Sequence, residues 1–382
     1  MKPFLKDDPI WVDRPATLQA MLKDLSRQTM LAVDTESNSL YAYQEQVCLI
    51  QFSTREQDYL LDPLALEDMS PLAAIFFNPE IEKIFHAAEY DLICLKRDFN
   101  FTFNNIFDTM IAARTLGREA VGLAAILQEF FGITVDKRYQ KANWGKRPLP
   151  REYIDYARLD THYLIPLRDS MKAELVTSGR WPLAQEDFNR LCDVEITSNE
   201  NGLNLCWRIA GREPLSDRQM AVLQSLCVYR DKQAQMRNVP PFKIISNRAL
   251  LEVAREGPTN EHALTELDGL SLRNIQRHKN WLIEAVRVGS RRPVVPRPAL
   301  QRRDADMIDR LSRLRNWRKE AGQKMGVPSD VVLPRDMMQE IAARNPADLR
   351  ELRQVMKPVP WRFERFGKDL LDRLQSKEDR KC

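Results

Sequence analysis

An internal repeat in the second half of the chain places the strongest constraint on the fold. Residues 222–256 align without a gap on residues 310–344, an offset of 88 positions. Leu226 aligns with Leu314, Arg230 with Arg318 and Pro240 with Pro328. A period of this kind marks a duplicated supersecondary unit. Because strand-like patterns largely end by Gly202, the duplication predicts two small all-helical domains.

The first two hundred residues have a different pattern, in which strand-like runs alternate with helical ones. MLAVDTE, VCLIQFS and DYLLDP are spaced as three strands of a meander, and IEKIFHA and NNIFDT each precede a helical pattern. This alternation predicts a mixed α/β sheet with helices packed on it. We predict the following organisation: an α/β domain over 1–205, a helical domain over 211–290, a Pro/Arg linker over 291–302 and a second helical domain over 303–382.

Cysteine and histidine usage limits the kind of metal site that this chain can build. Its six cysteines include no C-x-x-C pair, and its four histidines are dispersed, so a zinc centre and a disulfide framework are not expected. No apolar run approaches the roughly 18 to 20 residues of a membrane helix. The N-terminal MKPFLKDDPI lacks the apolar core of a secretory signal. We therefore expect a cytoplasmic protein whose metal ligands are carboxylates.

The clearest local feature is a pair of acids, Asp34 and Glu36, at the end of the first strand-like run. Residues two apart on a strand point to the same face, so the two carboxylates would project together. Like charges this close repel unless a cation lies between them. Oxygen ligands favour a hard ion such as Mg²⁺ or Mn²⁺. Taken alone, a strand that ends in a polar turn accounts for the same residues.

Three further side chains are placed to join this pair. Asp91 falls in the first turn of a predicted helix, where the helix dipole alone also favours an acid. Tyr156 and Asp160 are four residues apart on a helix predicted over about 151–167, so they share one face; an ordinary surface pair is the alternative. Asp108 follows another strand-like run, and we interpret it as a structural or outer acid.

In this order and context, the motifs resemble the ribonuclease D family, in the tyrosine-bearing branch of the DEDD exonuclease superfamily. Asp34 and Glu36 match the first motif, Asp91 the second, and Tyr156 with Asp160 the third. CLIQFS, FHAAEYD, FDTMIAARTLG and NWGKRPLP also resemble that family, and the repeat resembles its tandem HRDC domains. The resemblance covers essentially the whole chain. It implies a ribonuclease H-like α/β exonuclease domain followed by two all-α HRDC domains.

The resemblance also implies an activity, that of a 3′-5′ exoribonuclease releasing nucleoside 5′-monophosphates. Two Mg²⁺ or Mn²⁺ ions would be held by Asp34, Glu36, Asp91 and Asp160, and Tyr156 would orient the attacking water or help to deprotonate it. Because an unperturbed phenol has a pKa of about 10, positioning suits Tyr156 better than acting alone as a base. Processing of transfer RNA 3′ ends is the substrate that the resemblance suggests.

The net charge of +4 conceals a strong asymmetry along the chain. Residues 1–210 carry 23 basic and 31 acidic side chains, net −8, whereas residues 211–290 are +3 and residues 291–382 are +9. This division predicts that the helical repeats bind the RNA backbone. Two solvated surfaces of unlike charge are the alternative.

The basic loop before the third motif offers candidate substrate contacts. Lys141 and Arg147 would contact phosphates, and Trp144 and Tyr139 would stack on terminal bases unless they are part of the core. We expect the partner to be RNA, which the resemblance extends to transfer RNA precursors. We expect no association with a membrane, and we expect a monomer. Two other functions stay open: a DNA 3′-5′ exonuclease, and a noncatalytic nucleic-acid-binding adaptor.

Overall fold

The computed structural model forms two compact units and describes residues 8–196, 202–211, 214–296 and 305–376. The first unit comprises residues 1–36, 47–196 and 302–382, and the second comprises residues 37–46 and 197–301. The predicted linker over 291–302 lies partly outside the described residues. The predicted domain boundaries stay a prediction.

The first unit is built on one six-stranded sheet in the order β1-β4-β3-β2-β5-β6. Its strands are β1 Ile10–Val12, β2 Met30–Ser37, β3 Val47–Ser53, β4 Asp58–Leu61, β5 Glu82–Phe85 and β6 Ile106–Asp108. β3 is antiparallel to β4, whereas β5 is parallel to both β2 and β6. The neighbouring positions of β2, β3 and β4 confirm the predicted meander. β1, which pairs with β4, was not predicted.

Helices cover both faces of this sheet. They are α1 Pro15–Leu25, α2 Ala73–Phe77, α3 Glu89–Phe99, α4 Thr109–Leu116, α5 Leu123–Phe131, α6 Arg151–His162, α7 Leu164–Thr177 and α8 Trp181–Cys192. Every residue of β3 is buried, because helices pack above and below the centre of the sheet. The helix predicted over 151–167 is in fact two helices, which meet at Tyr163.

The repeat is helical throughout, as predicted. Its first copy follows α9 Gly202–Ala210 and comprises α10 Asp217–Met236, α11 Asn247–Glu256, α12 Glu261–Thr265 and α13 Leu272–Gly289. Its second copy comprises α14 Ala305–Met325, α15 Ser329–Val332, α16 Arg335–Arg344, α17 Leu349–Val355 and α18 Pro360–Gln375. Among the described residues, no helix is long and apolar enough to cross a membrane.

Equivalent arginines in the two copies make the same hydrogen bond to a backbone carbonyl. Arg230 donates from Nη1 to the carbonyl of Ile245 at 3.1 Å, and Arg318 donates from Nη1 to the carbonyl of Leu333 at the same distance. Both the donors and the acceptors are 88 positions apart. Each arginine links the long first helix of its copy to the loop before the next long helix, which is α11 in the first copy and α16 in the second. This shared contact explains why arginine recurs in the repeat.

The second copy packs on α8 of the first unit through a buried ion-pair network. The Arg362 side chain is fully buried, and its guanidinium donates to Glu186 at 2.9 Å and to Asp187 at 2.7 Å. It also donates to the carbonyl of Val331 at 2.8 Å. A buried guanidinium is stable only when its charge and its hydrogen bonds are satisfied in this way. Residues 302–382 are therefore an integral part of the first unit.

Candidate active site

The end of β2 presents two carboxylates to one face of the sheet. Asp34 and Glu36 are two residues apart on this strand, and the side chain of Asp160 meets them from α6. One ligand oxygen from each of the three lies within 4.8 Å of the other two. The arrangement predicted from their spacing therefore exists in three dimensions.

Asp91 reaches the same cluster from the first turn of α3. Because β5 runs parallel to β2, with Ala32 paired to Ile84, the chain that leaves β5 enters α3 beside the end of β2. The Thr35 hydroxyl, between the two acids of β2, donates to Asp91 Oδ1. This bond fixes the orientation of the Asp91 carboxylate.

The third motif contributes one face of α6. Tyr156 and Asp160 lie one turn apart, and the phenol hydroxyl donates to the Asp160 carboxylate. Tyr156 is 6% exposed, and its ring centroid lies 6.1 Å from that of Trp144 and 5.9 Å from that of Tyr139. The aromatic neighbours hold the ring while its hydroxyl faces the carboxylates.

Burial makes this cluster costly to ionise. It raises the pKa of Asp91 and of Asp160 to about 7, although hydrogen bonds from Thr35 and Tyr156 respectively act in the opposite direction. Burial, with the charges of the neighbouring acids, also holds the pKa values of Asp34 and Glu36 well above their usual range. The mutual repulsion of these oxygens is the condition that a divalent cation relieves, so the donor set fits such an ion.

The side chains of Asp34, Glu36 and Asp160 line a cavity of about 590 Å³. Residues outside the predicted catalytic set also line it: His86 at the end of β5, Gly122 to Ala125 at the start of α5, and Val135, Lys137 and Gln140 from the loop before α6. His86 precedes Asp91 by five residues. That proximity to the second motif was the one signal in the sequence that could have placed it here.

Asp108 is structural, in agreement with its interpretation from sequence. It caps α4 by accepting from the backbone N–H groups of Met110 at 2.7 Å and Ile111 at 3.0 Å. It also accepts from Ala87 at 3.2 Å and Ala88 at 2.7 Å, just before α3. These bonds fix the segment that carries His86 and Asp91.

The structure corrects two of the predicted substrate contacts. Trp144 is 1% exposed and packs against Tyr153 and Tyr156, so its ring has no free face for a base and the core alternative holds. The Arg147 guanidinium binds Asp62, at 2.5 and 2.7 Å, and the carbonyl of Cys48, at 2.6 Å, so it is engaged within the fold. Tyr139 is partly exposed and Lys141 is exposed, and their contacts with substrate stay predictions.

Comparison with known proteins agrees with this geometry. The 3′-5′ exonuclease family matches residues 9–176, and the HRDC domain matches residues 219–286 and 308–374. The chain therefore carries a 3′-5′ exonuclease domain of the DEDD type, followed by two HRDC domains. Asp34, Glu36, Asp91, Tyr156 and Asp160 all fall within the matched exonuclease segment, and this family implies dependence on a divalent metal.

Individual relatives match over different lengths. Ribonuclease D of Pseudomonas paraeruginosa is 26% identical, and the match covers 96% of this chain and 97% of that protein. The exosome complex exonuclease RRP6 of Saccharomyces cerevisiae is 41% identical over 173 residues, which are 45% of this chain. The chain spans about a quarter of the yeast protein's length, and about a third of the length of the Arabidopsis thaliana proteins RRP6-like 2 and 3.

A solved structure is similar to this chain over nearly its whole length. The crystal structure of Escherichia coli RNase D, described as an exoribonuclease involved in structured RNA processing, has a TM-score of 0.69 and 25% identity. The match covers 97% of this chain and 99% of that one.

Proposed function

We propose that this protein is a 3′-5′ exoribonuclease that hydrolyses RNA from its 3′ end and releases nucleoside 5′-monophosphates. The observation that carries the proposal is the convergence of Asp34, Glu36 and Asp160 at an open cavity that Tyr156 also lines, with Asp91 held behind them by the Thr35 hydroxyl. Relatives that are themselves named as ribonucleases, and that match nearly the full chain, favour RNA over DNA.

The donor set consists of oxygens, which suits Mg²⁺ or Mn²⁺, and we propose that the four carboxylates hold two such ions. When bound, a pair of divalent ions lowers the pKa of a water and stabilises charge on the departing 3′ oxygen. The protein itself holds four acids close together in a buried place. Burial and the charges of the neighbouring acids raise the pKa values of all four.

Tyr156 positions the nucleophilic water in this proposal. Burial, followed by the charges of Asp160 and Glu36, raises the pKa of its phenol, so the hydroxyl stays protonated at neutral pH. A protonated phenol held by Asp160 can fix a water through its oxygen lone pair, whereas it is poorly suited to accept a proton. This supports positioning as its role.

The finer substrate and cellular assignments extend this proposal. We propose a cytoplasmic monomer that acts on transfer RNA precursors and other structured RNA 3′ ends. Structured RNA as the substrate class is supported by the similar Escherichia coli RNase D, whose structure is described as that of an exoribonuclease involved in structured RNA processing.

Incubation of 5′-labelled RNA and DNA with Mg²⁺, with Mn²⁺ or with EDTA tests the activity. We expect metal-dependent laddering of RNA from the 3′ end, and loss of it in Asp34→Ala with RNA binding retained. Laddering of DNA alone would establish a DNA exonuclease instead, and binding without cleavage would indicate an adaptor. Glu89→Ala, an exposed acid on α3 outside the cluster, is the matched control and should cleave like the wild type.

A further inference from the structure

His86 lines the carboxylate cavity from the end of β5. Its Nδ1 lies 2.9 Å from the Thr109 hydroxyl, which in turn lies 3.1 Å from the carbonyl of Phe85. Thr109 is fully buried, so its hydroxyl is not shared with solvent. The imidazole is thus anchored on the side away from the cavity.

This chain of hydrogen bonds assigns the tautomer of the ring. A threonine hydroxyl has one proton, and the Phe85 carbonyl can only accept, so the Thr109 proton points to that carbonyl. The Thr109 oxygen must then accept from His86, which places the ring proton on Nδ1. Nε2 is left as a bare hydrogen-bond acceptor.

The ring is neutral as well as oriented. Burial lowers the pKa of His86 to about 4, so the imidazole carries no charge at physiological pH. The next residue, Ala87, has a φ of +63°, which is costly for alanine and is held by the bonds from Ala87 and Ala88 to Asp108. The hydrogen bonds to Asp108 therefore stabilise a strained backbone conformation directly after His86.

A neutral acceptor selects among the groups of an RNA 3′ end. A phosphate oxygen has no proton to offer to Nε2, and Mg²⁺ prefers oxygen ligands to imidazole. A ribose hydroxyl can donate. We propose that His86 Nε2 accepts a hydrogen bond from a 2′-hydroxyl at the RNA 3′ end and so selects ribose over deoxyribose. This inference rests on the proposed exoribonuclease function.

Two substitutions separate the two nitrogens of the ring. His86→Asn keeps a polar atom near Nδ1, for Thr109, but has nothing at Nε2; His86→Gln extends a polar amide to the Nε2 position. The substrates are one RNA oligonucleotide and three derivatives, each with a single 2′-deoxy nucleotide at one of the last three positions. The measurement is kcat/KM for each enzyme on each substrate, with His262→Asn, an exposed histidine on α12, as the control.

We expect one deoxy position to lower kcat/KM of the wild type about fivefold to tenfold, the range for one lost hydrogen bond. His86→Asn should lower kcat/KM on the all-ribose RNA by a similar factor and show no further loss at that deoxy position, while His86→Gln regains part of the loss. Equal losses on all four substrates, or wild-type rates in His86→Asn, would overturn the assignment. A wild-type enzyme that leaves every RNA intact would instead contradict the proposed function, before His86 is tested at all.

Discussion

Tyr156 sits where two opposing environments meet, an aromatic wall on one side and a cluster of acids on the other. The wall removes water from the phenol, and the acids make its ionisation still less favourable. Its hydroxyl is therefore a fixed dipole rather than a titrating group. We predict that Tyr156→Phe lowers kcat about 100-fold, the lower end of what one preorganised hydrogen-bonding group at a reaction centre contributes.

Metal binding should survive that change, because the phenol is not needed as a ligand. Isothermal titration with Mn²⁺ checks this, and Tyr153→Phe, a neighbouring ring on α6 farther from the acids in sequence, serves as the matched control. A Tyr156→Phe enzyme with a rate near the wild type would contradict the positioning role.

The raised carboxylate pKa values have a consequence for stability without metal. Between the unfolded value near 4 and the folded value of about 7 for Asp91 and Asp160, the folded protein binds more protons than the unfolded chain. The free energy of unfolding contributed by these groups must then fall as the pH rises through this window. In EDTA we expect the melting temperature to be roughly 5 °C lower at pH 8 than at pH 5.

Mn²⁺ should reverse this loss at pH 8, because it binds only the folded cluster. Asp160→Asn removes one of the titrating acids, so its melting temperature in EDTA should depend less on pH than that of the wild type. Thermal denaturation of both proteins provides the comparison. The same dependence on pH in both would show that the acids are not the source.

The site residues that the sequence identified are those that belong to motifs of fixed spacing. Asp34, Glu36 and Asp160 belong to such motifs, and one ligand oxygen from each lies within 4.8 Å of the other two. Trp144 and Arg147 were misassigned, because burial of the first and capture of the second by Asp62 depend on partners far away in the chain. Composition and local spacing carry no information about such contacts.

At the scale of elements, helix α6 works through two opposite faces. One face carries Tyr156 and Asp160 into the site, while Arg158 and His162, also one turn apart, point the other way. Both of the latter contact the buried Asp58 of β4: Arg158 through Nε, and His162 through Nδ1 at 2.8 Å. These contacts with Asp58, called the ion-pair clamp below, fix α6 on the sheet. They thereby position the opposite face of α6, which carries Tyr156 and Asp160.

We predict that Asp58→Asn costs about 3–5 kcal/mol of unfolding free energy, because it leaves the Arg158 guanidinium buried without its counter-charge. Urea denaturation measures this loss. Asp155→Asn, which breaks an exposed pair with Arg151 on the same helix, is the matched control and should change stability by less than about 0.5 kcal/mol.

A double variant distinguishes the charge from the fold. Asp58→Asn with Arg158→Gln removes both charges, so it should recover part of the stability that Asp58→Asn loses. If the double variant is no better than the single one, the clamp does not act through its charge.

The element boundaries show where local pattern is sufficient and where it is not. Alternation and turn signals placed β2 to β6, and the repeat predicted that both of its copies are helical, because these features are present in the local sequence. The short β1 escaped prediction because it exists only by pairing with β4. The break at Tyr163 was also missed, since the helical pattern continues through it.

At the scale of the whole molecule, the Arg362 network changes how the second helical copy should be tested. Deleting residues 302–382 would remove the Arg362 partner of Glu186 and expose the surface of α8 that the second copy covers, so a truncated chain would report on folding as well as on binding. We predict that Arg362→Ala lowers the unfolding free energy by about 3–5 kcal/mol in urea denaturation. Arg365→Ala, an exposed arginine on the same helix, should be near neutral, and equal losses in both would contradict the network's role.

The charge asymmetry is better tested at the surface. Lys319, Lys324 and Lys368 are exposed on the second copy, and changing all three to Gln lowers the net charge of residues 291–382 from +9 to +6 while leaving the Arg362 network intact. Each lost contact with a single-stranded phosphate should lower the slope of log K against log salt by roughly 0.7. We therefore expect the triple variant to bind RNA with a slope about two units shallower. The matched control changes three exposed cations at or near α1, in the acidic region, to Gln: Arg14, Lys23 and Arg27. This control variant should leave the slope unaltered. If the two triple variants behave alike, the basic copy is a solvated surface and the RNA is bound elsewhere.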